Sequence, residues 1–249
     1  MAKNVGIIKL KGTVDGINFY GEDLVRKAGG GFTSASIKKS PNMLSTRQYG
    51  SEFGNSSRVK RLIRLSVDAS LLKPLSKEWH SGLTSLVQYI KAEDCIHPRG
   101  ERIVAFGLKT ALGKDLICRF LFSPEQSVYP LFDGLPDVDL DGGVCQFGNL
   151  QLSEKSFKGR ATFVRLHYFV VDYDTETSSI QSYSAEKVLF SKVDLPATLP
   201  HFEIVGLPKI PSFRLAFLGV QFCELSEGIV VDIKDVEQVG LRCVGVFAG

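Results

Sequence analysis

Apolar and polar positions alternate from the first residues of the chain. Residues 5–14 and 17–20 alternate around Asp15-Gly16. Asp-Gly between alternating runs predicts a β-hairpin, because a type I′ turn needs positive φ at both central residues. Ile8, Leu10 and Val14 fall on one face of this hairpin, and Lys9 and Lys11 on the other. Leu24–Lys27 extends the meander, and Gly29-Gly30-Gly31 ends it as a flexible joint.

The period then changes to that of a helix. Ser45-Thr-Arg-Gln48 has the form of a capping box, so a helix is expected from there to about Leu72. Gly50, Gly54 and Ser57 make a stripe of small residues at i, i+4 and i+7, over which another backbone could approach closely. A break at Gly54-Asn55 is the alternative. Further along, Val59, Leu62, Ile63 and Val67 fill one arc, and Arg58, Lys60, Arg61 and Arg64 the opposite one. A second helix is predicted over Lys77–Ala92, with Trp79, Leu83, Leu86, Val87 and Ile90 as its apolar stripe.

From residue 101 the pattern is that of strands. Runs occur near 102–109, 115–122, 127–132, 144–152, 160–173, 179–190, 202–206, 212–224, 228–234 and 238–247. Turn formers such as Leu-Gly-Lys, Asp133-Gly134 and Ser226-Glu-Gly228 separate them. In the 160–173 run, Val164, Leu166, Tyr168 and Val170 share one face, with Arg165 and His167 on the other. The fold class expected is α+β. An N-terminal β-hairpin arm covers 1–31, a two-helix segment 32–100, and an antiparallel β-sandwich, immunoglobulin-like or jelly-roll, 101–249.

Composition changes this picture little, but charge changes it more. At 249 residues, 44% hydrophobic and 23% charged, the chain is ordinary globular material. Its net charge of +3 is unevenly spread. Residues 1–65 hold 12 Lys and Arg against 4 Asp and Glu, a net of +8, and the remainder carries a net of −5. Such polarity points to an anionic partner for the first quarter, either nucleic acid or the acidic body of another copy. The N-terminus lacks the apolar core of a secretory signal, and no apolar run approaches the roughly 20 residues of a membrane span. Synthesis in the cytoplasm is therefore expected, with a virion as the destination if the chain is an assembly component.

Candidate chemistry is sparse. The five cysteines are odd in number, far apart and without a C-x-x-C pair, and Cys118, Cys223 and Cys243 read as reduced core side chains. Asp137, Asp139, Asp141 and Gly142 match the first half of a calcium loop. The match fails at the twelfth position, where Gly148 replaces the bidentate Glu. A strand or turn with the carboxylates outward and Val138 and Leu140 inward is the simpler reading. None of His80, His97, His167 and His201 sits at ligand spacing to another, and Cys95-Ile-His97 is a two-ligand fragment. No nucleotide or cofactor motif is present. The basic face of Arg58, Lys60, Arg61 and Arg64 is the serious functional patch, suited to phosphates, to an intersubunit salt-bridge surface or simply to solvent.

The opening G-I-I-K-L-K-G-T-x-x-x-I-N-F-Y, then V-R-K and T-R-Q-Y-G-S-E-F-G, resembles an uncharacterised family of bacterial and prophage-type proteins. The resemblance is strongest over residues 5–65. No activity is attached to that family, so it implies no catalytic residues, and its phage-type context favours an assembly role. The expectation is a non-enzymatic structural subunit of a repeating assembly: a virion, phage tail or filament component. Self-association would use Lys9, Lys11 and the N-terminal arm together with charge complementarity, giving a homo-oligomer. The alternative is a cytoplasmic nucleic-acid-binding protein using the basic helix face. A calcium-dependent carbohydrate-binding or hydrolytic sandwich is a third class.

Overall fold

The structure, a computed structural model, describes residues 2–3, 11–20, 24–27, 33–72, 77–123, 131, 136–141, 143–146, 152–175, 179–195, 201–209 and 213–248. Lys9, the triple glycine and the run at 127–130 lie outside them. The chain forms two compact units, residues 1–49 and 50–249.

The first unit carries a four-stranded antiparallel sheet in the order β1 (Ala2–Lys3), β4 (Leu24–Lys27), β3 (Ile17–Tyr20), β2 (Gly12–Val14). Asp15 and Gly16 take φ of 46° and 73°, as the type I′ turn requires. Pairing Val14 with Ile17 and Phe19 with Val25 gathers these four residues on one face. None of the described side chains over 11–49 is buried, and Val14 and Ile17 are 52% and 42% exposed. A helix α1 (Ser34–Lys39) follows, capped by Thr33, whose hydroxyl accepts from the Ser36 N–H. A hydroxyl cap suffices to start such a short helix. Arg47 donates to the carbonyls of Ile37 and Ser40, both at 2.8 Å, closing the end of α1.

Helix α2 (Leu44–Ser66) is continuous through Gly54-Asn55. It begins one residue before Ser45, directly after a 3-10 turn at Pro41–Met43, so the expected capping box lies inside the helix. It also ends earlier than expected. Asp68 Oδ1 accepts from the N–H and hydroxyl of Ser70, starting the separate turn α3 (Ala69–Leu72). Helix α4 (Lys77–Ala92) has the predicted bounds.

Two expected strands are helices instead. The runs at 102–109 and 115–122 contain α5 (Val104–Gly107) and α6 (Ala111–Arg119). Thr110 caps α6 by accepting from the Gly113 N–H at 3.0 Å, which places the supposed Leu-Gly-Lys turn inside the helix. Close packing makes glycine necessary at Gly107, where a Cβ would lie 1.8 Å from the carbonyl oxygen of Ile90 in α4.

The remaining strands build the α+β body. Two long antiparallel strands, β7 (Phe163–Asp174) and β11 (Phe213–Ser226), form the spine of a six-stranded sheet. Beside β7 lie β8 (Ser179–Ser184) and β9 (Val188–Ser191), end to end. Beside β11 lie β12 (Ile229–Asp232) and β13 (Val239–Ala248) in the same manner. One face packs on the helices through Phe169, Val171, Leu215 and Phe217, against Ile63, Leu83, Ile90 and Leu108. The other face, with Val164, Leu166, Leu218 and Val220, shares a core with a second sheet of β10 (Phe202–Glu203), β6 (Val144–Gln146) and β5 (Asp137–Asp139). Arg214 pins this second layer. It is fully buried, pairs both nitrogens of one edge with Asp172 at 2.6 Å, and donates to the carbonyls of Leu140 and Pro208.

Candidate functional site

The outer face of α2 unites two features that the sequence suggested separately. At 100° per residue, Gly50, Phe53, Gly54, Ser57, Arg58, Arg61, Arg64 and Leu65 occupy one arc. All are exposed except Ser57, which is half-buried. A Cβ at Gly50 or Gly54 would meet nothing within 4 Å, so the small-residue stripe opens outward. The stripe and the arginines therefore form one continuous surface, small at its start and cationic at its end. Lys60 departs from the expected basic arc. It is half-buried, and its Nζ donates to the Thr84 hydroxyl of α4 at 2.6 Å. Lys11, the described member of the N-terminal pair of lysines, is exposed in the first unit.

The inner face of α2 explains how this surface is held. Glu52 shares the arc of Val59 and Ile63 and is fully buried. Its carboxylate accepts from Lys91 Nζ at 2.6 Å, Arg102 Nε at 2.9 Å and the Gly100 N–H at 2.7 Å. Burial alone would raise this carboxyl, but the hydrogen bonds from Arg102, Lys91 and Gly100 hold it down at about 2. Asp94, also buried, accepts from the N–H groups of Ile96, His97 and Ile103 and bonds His97 Nδ1 at 2.8 Å. These contacts outweigh burial and lower its pKa. Two buried carboxylates thus shape the 94–103 loop and tie it to α2.

A third polar group lies on the helix-facing side of the central sheet, beyond its apolar part. His167 is 3% exposed and lines a cavity of about 190 Å³ with Leu65, Ser66, Asp68, Ser184 and Lys187. Its Nε2 has no hydrogen-bond partner. Burial, with Lys187 adding to it, lowers its pKa to about 4, so the ring is neutral at pH 7. Asp68 and Lys187 pair at 2.6 Å beside it. Gly219, opposite His167 on β11, leaves room for Leu71 of α3. Farther along, Arg165 pairs with Asp232, and the Cys223 thiol contacts the same carboxylate at 3.4 Å. Burial raises Cys223 to about 12, and likewise Cys145, so neither thiol suits nucleophilic attack at neutral pH.

Asp137 and Asp139 point outward on β5, while Val138 packs inward with Leu140. The Asp141 N–H donates to Asp139 Oδ1 at 3.1 Å, as in a turn. Among the described residues no group of three or more His, Cys, Asp or Glu is placed to hold a metal ion. Cys95 is exposed, and His201 lies 3.9 Å from Glu203 on the surface. Among the described residues, no helix is long and apolar enough to cross a membrane.

Sequence reading missed Glu52 and Asp94 as hubs. The helical wheel carries the signal for Glu52, since it falls among the apolar positions of α2. Asp94 depends on backbone geometry, which no spacing announces. No family model matches the chain, and neither a curated protein nor a solved structure matches it.

Proposed function

We propose that the chain is a non-enzymatic structural subunit of a repeating assembly, such as a virion, phage tail or filament component. The observation that carries this reading is the first unit's apolar face, on which Val14 and Ile17 are exposed and Phe19 and Val25 are half-buried. Val14, Ile17, Phe19 and Val25 gather on one side of a small sheet, yet no described side chain over 11–49 is buried. Small sheets need an apolar face packed on something to be stable. β2 is moreover an edge strand with one side open for pairing among the described strands. A second copy supplies both a surface and an oppositely charged body, since the chain carries +8 over 1–65 and −5 beyond.

Light scattering on the full chain tests this. The wild type is expected to form oligomers or fibres that high salt weakens, and Val14→Lys with Ile17→Lys to yield monomers. A wild type that stays monomeric at every concentration overturns the proposal.

A nucleic-acid reading is favoured by one observation, the merging of Gly50, Gly54, Arg58, Arg61 and Arg64 on one open face of α2. A backbone phosphate could approach closely at the glycines and be neutralised by the arginines. Each phosphate contact steepens the dependence of log K on log salt by about 0.9. Arg61→Glu with Arg64→Glu should then flatten the slope by about 2 in a gel-shift titration. Binding unchanged by this double substitution excludes the face as the interface.

A further inference from the structure

Each compact unit contains a tight hairpin that leaves one strand at the border of a sheet. In the first unit this strand is β2, joined to β3 through Asp15-Gly16. In the body it is β12, joined to β11 through Glu227-Gly228, whose φ values of 51° and 81° repeat the type I′ turn. The residues that flank a two-residue turn exchange hydrogen bonds with each other, so their neighbours turn N–H and C=O outward. Thr13 on β2 and Val230 on β12 are such neighbours. The Ile233 N–H donates back to the Phe222 carbonyl at 3.1 Å, which fixes the alternation along β12 and turns Asp232 outward with Val230. No described strand pairs with the open side of either β2 or β12.

The surroundings of the two edges are complementary. The first unit holds eight Lys and Arg against three Asp and Glu, a net of +5. Residues 224–237 hold five Asp and Glu against Lys234, a net of −4, which is most of the −5 carried beyond residue 65. Arg160 and Arg165 pair with Glu224 and Asp232, while Glu227, Asp235 and Glu237 are exposed. β12 also presents apolar side chains to solvent, with Ile229 68% exposed and Val231 on the same face. Neither β8, whose exposed positions are Ser and Gln, nor the acidic β5, whose Val138 packs inward, combines these features.

We propose that β2 of one copy adds antiparallel to the open edge of β12 of the next, with Thr13 opposite Val230, joining copies head to tail. The pairing presupposes the self-assembly proposed above and names the strand that receives β2.

The register follows from the alternation. Only outward groups can bond across the new seam, and residues directly opposite share a face. Thr13 opposite Val230 brings Lys11 opposite Asp232 and Val14 opposite Ile229. The apolar face of the first unit then continues into Ile229 and Val231, and Lys11 meets a carboxylate. A two-residue shift either sets Lys11 against Lys234 or puts Thr13 on the turn at Gly228, and a one-residue shift turns the bonding groups away from each other. Donor and acceptor are different surfaces, so the contact is heterologous and each added copy leaves one edge open for another.

Proline tests the seam from both sides, because edge positions whose N–H faces outward tolerate it. Thr13→Pro silences the donor and Val230→Pro the acceptor. In light scattering of the full chain, each variant alone should be monomeric where the wild type assembles. Their equimolar mixture should form dimers and nothing larger, since one intact donor and one intact acceptor remain. A second readout holds even if a proline variant fails to fold. A Val14→Cys chain mixed with an Ile229→Cys chain under mild oxidation should yield a disulfide joining positions 14 and 229 in a non-reducing digest. Such a non-hydrogen-bonded pair lies about 4.5 Å apart at Cα, within disulfide reach. If the wild type assembles but folded proline variants assemble equally, or the cysteine mixture yields no such peptide, the seam is overturned and the assembly reading stands. A wild type that stays monomeric at every concentration overturns both.

Discussion

Glu52 carries a strong commitment of charge to the interior, and removing that charge gives a sharp test of the fold. Glu52→Gln keeps the side chain's volume but leaves Lys91 and Arg102 facing a neutral amide. Breaking a buried ion pair from one side costs about 3–5 kcal/mol, because the remaining charge is desolvated without its partner. That is a large share of the 5–15 kcal/mol that typically separates folded from unfolded chains. The pH dependence supplies a second, independent number. The carboxyl titrates at about 2 in the folded chain and at an ordinary 4.5 when unfolded. Its ionisation therefore favours the folded state by about 3 kcal/mol. Because the folded value is depressed, this contribution is complete above about pH 4.5 and is lost as pH falls toward 2. Urea unfolding of wild type and Glu52→Gln, followed by circular dichroism from pH 7 to pH 3, reads both numbers. The stability gap should be widest at pH 7 and should narrow below pH 4.5. A gap under 1 kcal/mol at pH 7, or one that stays constant down to pH 3, refutes the reasoning.

His167 has the opposite charge type and a different window. Its folded value of about 4 lies below the ordinary 6.5, so the unfolded chain takes up a proton first as pH falls. Stability is then full above pH 6.5 and drops by about 3 kcal/mol on the way to pH 4. His167→Leu should flatten that part of the unfolding profile while changing stability at pH 7 by less than about 1 kcal/mol, since an unpartnered polar atom is removed. Two glycines should respond with opposite sign in thermal melts. Gly107→Ala drives a methyl into the Ile90 carbonyl, and should cost about 3 kcal/mol or more. Gly54→Ala, in an exposed helix with open space around it, should gain up to about 1 kcal/mol.

Much of the architecture was legible because strong periodicity coincided with clear punctuation. The Asp15-Gly16 hairpin, the bounds of α4, and the long strands β7 and β11 follow from alternation, helical spacing and turn residues. The helices α5 and α6 did not. Their apolar residues are dense enough to pass for buried strands, and Gly113, within Leu-Gly-Lys, has the look of a turn. Gly107 is there to admit the backbone of α4, a requirement visible only once the two helices are packed. The outward face of α2 was half legible. The stripe and the arginines each show in the sequence, but the wheel puts Lys60 on the basic arc and cannot show that Thr84 of another helix captures it.

The central pair of strands also has a consequence for how the molecule acquires its shape. β7 and β11 pair from Tyr173–Phe213 at one end to Phe163–Cys223 at the other, so long stretches of chain must close before their contacts form. By contrast, β11 and β12 are joined by the two-residue turn Glu227-Gly228 and can zip locally. Local hairpins form in microseconds, whereas pairing across long loops is slow. During that interval the Phe213–Cys223 segment, buried along its whole length in the finished sheet, stands uncovered. Such a segment readily pairs with its like on another chain. Refolding should therefore compete with aggregation in proportion to concentration, and newly made chains would benefit from a holdase until β7 and β11 have met.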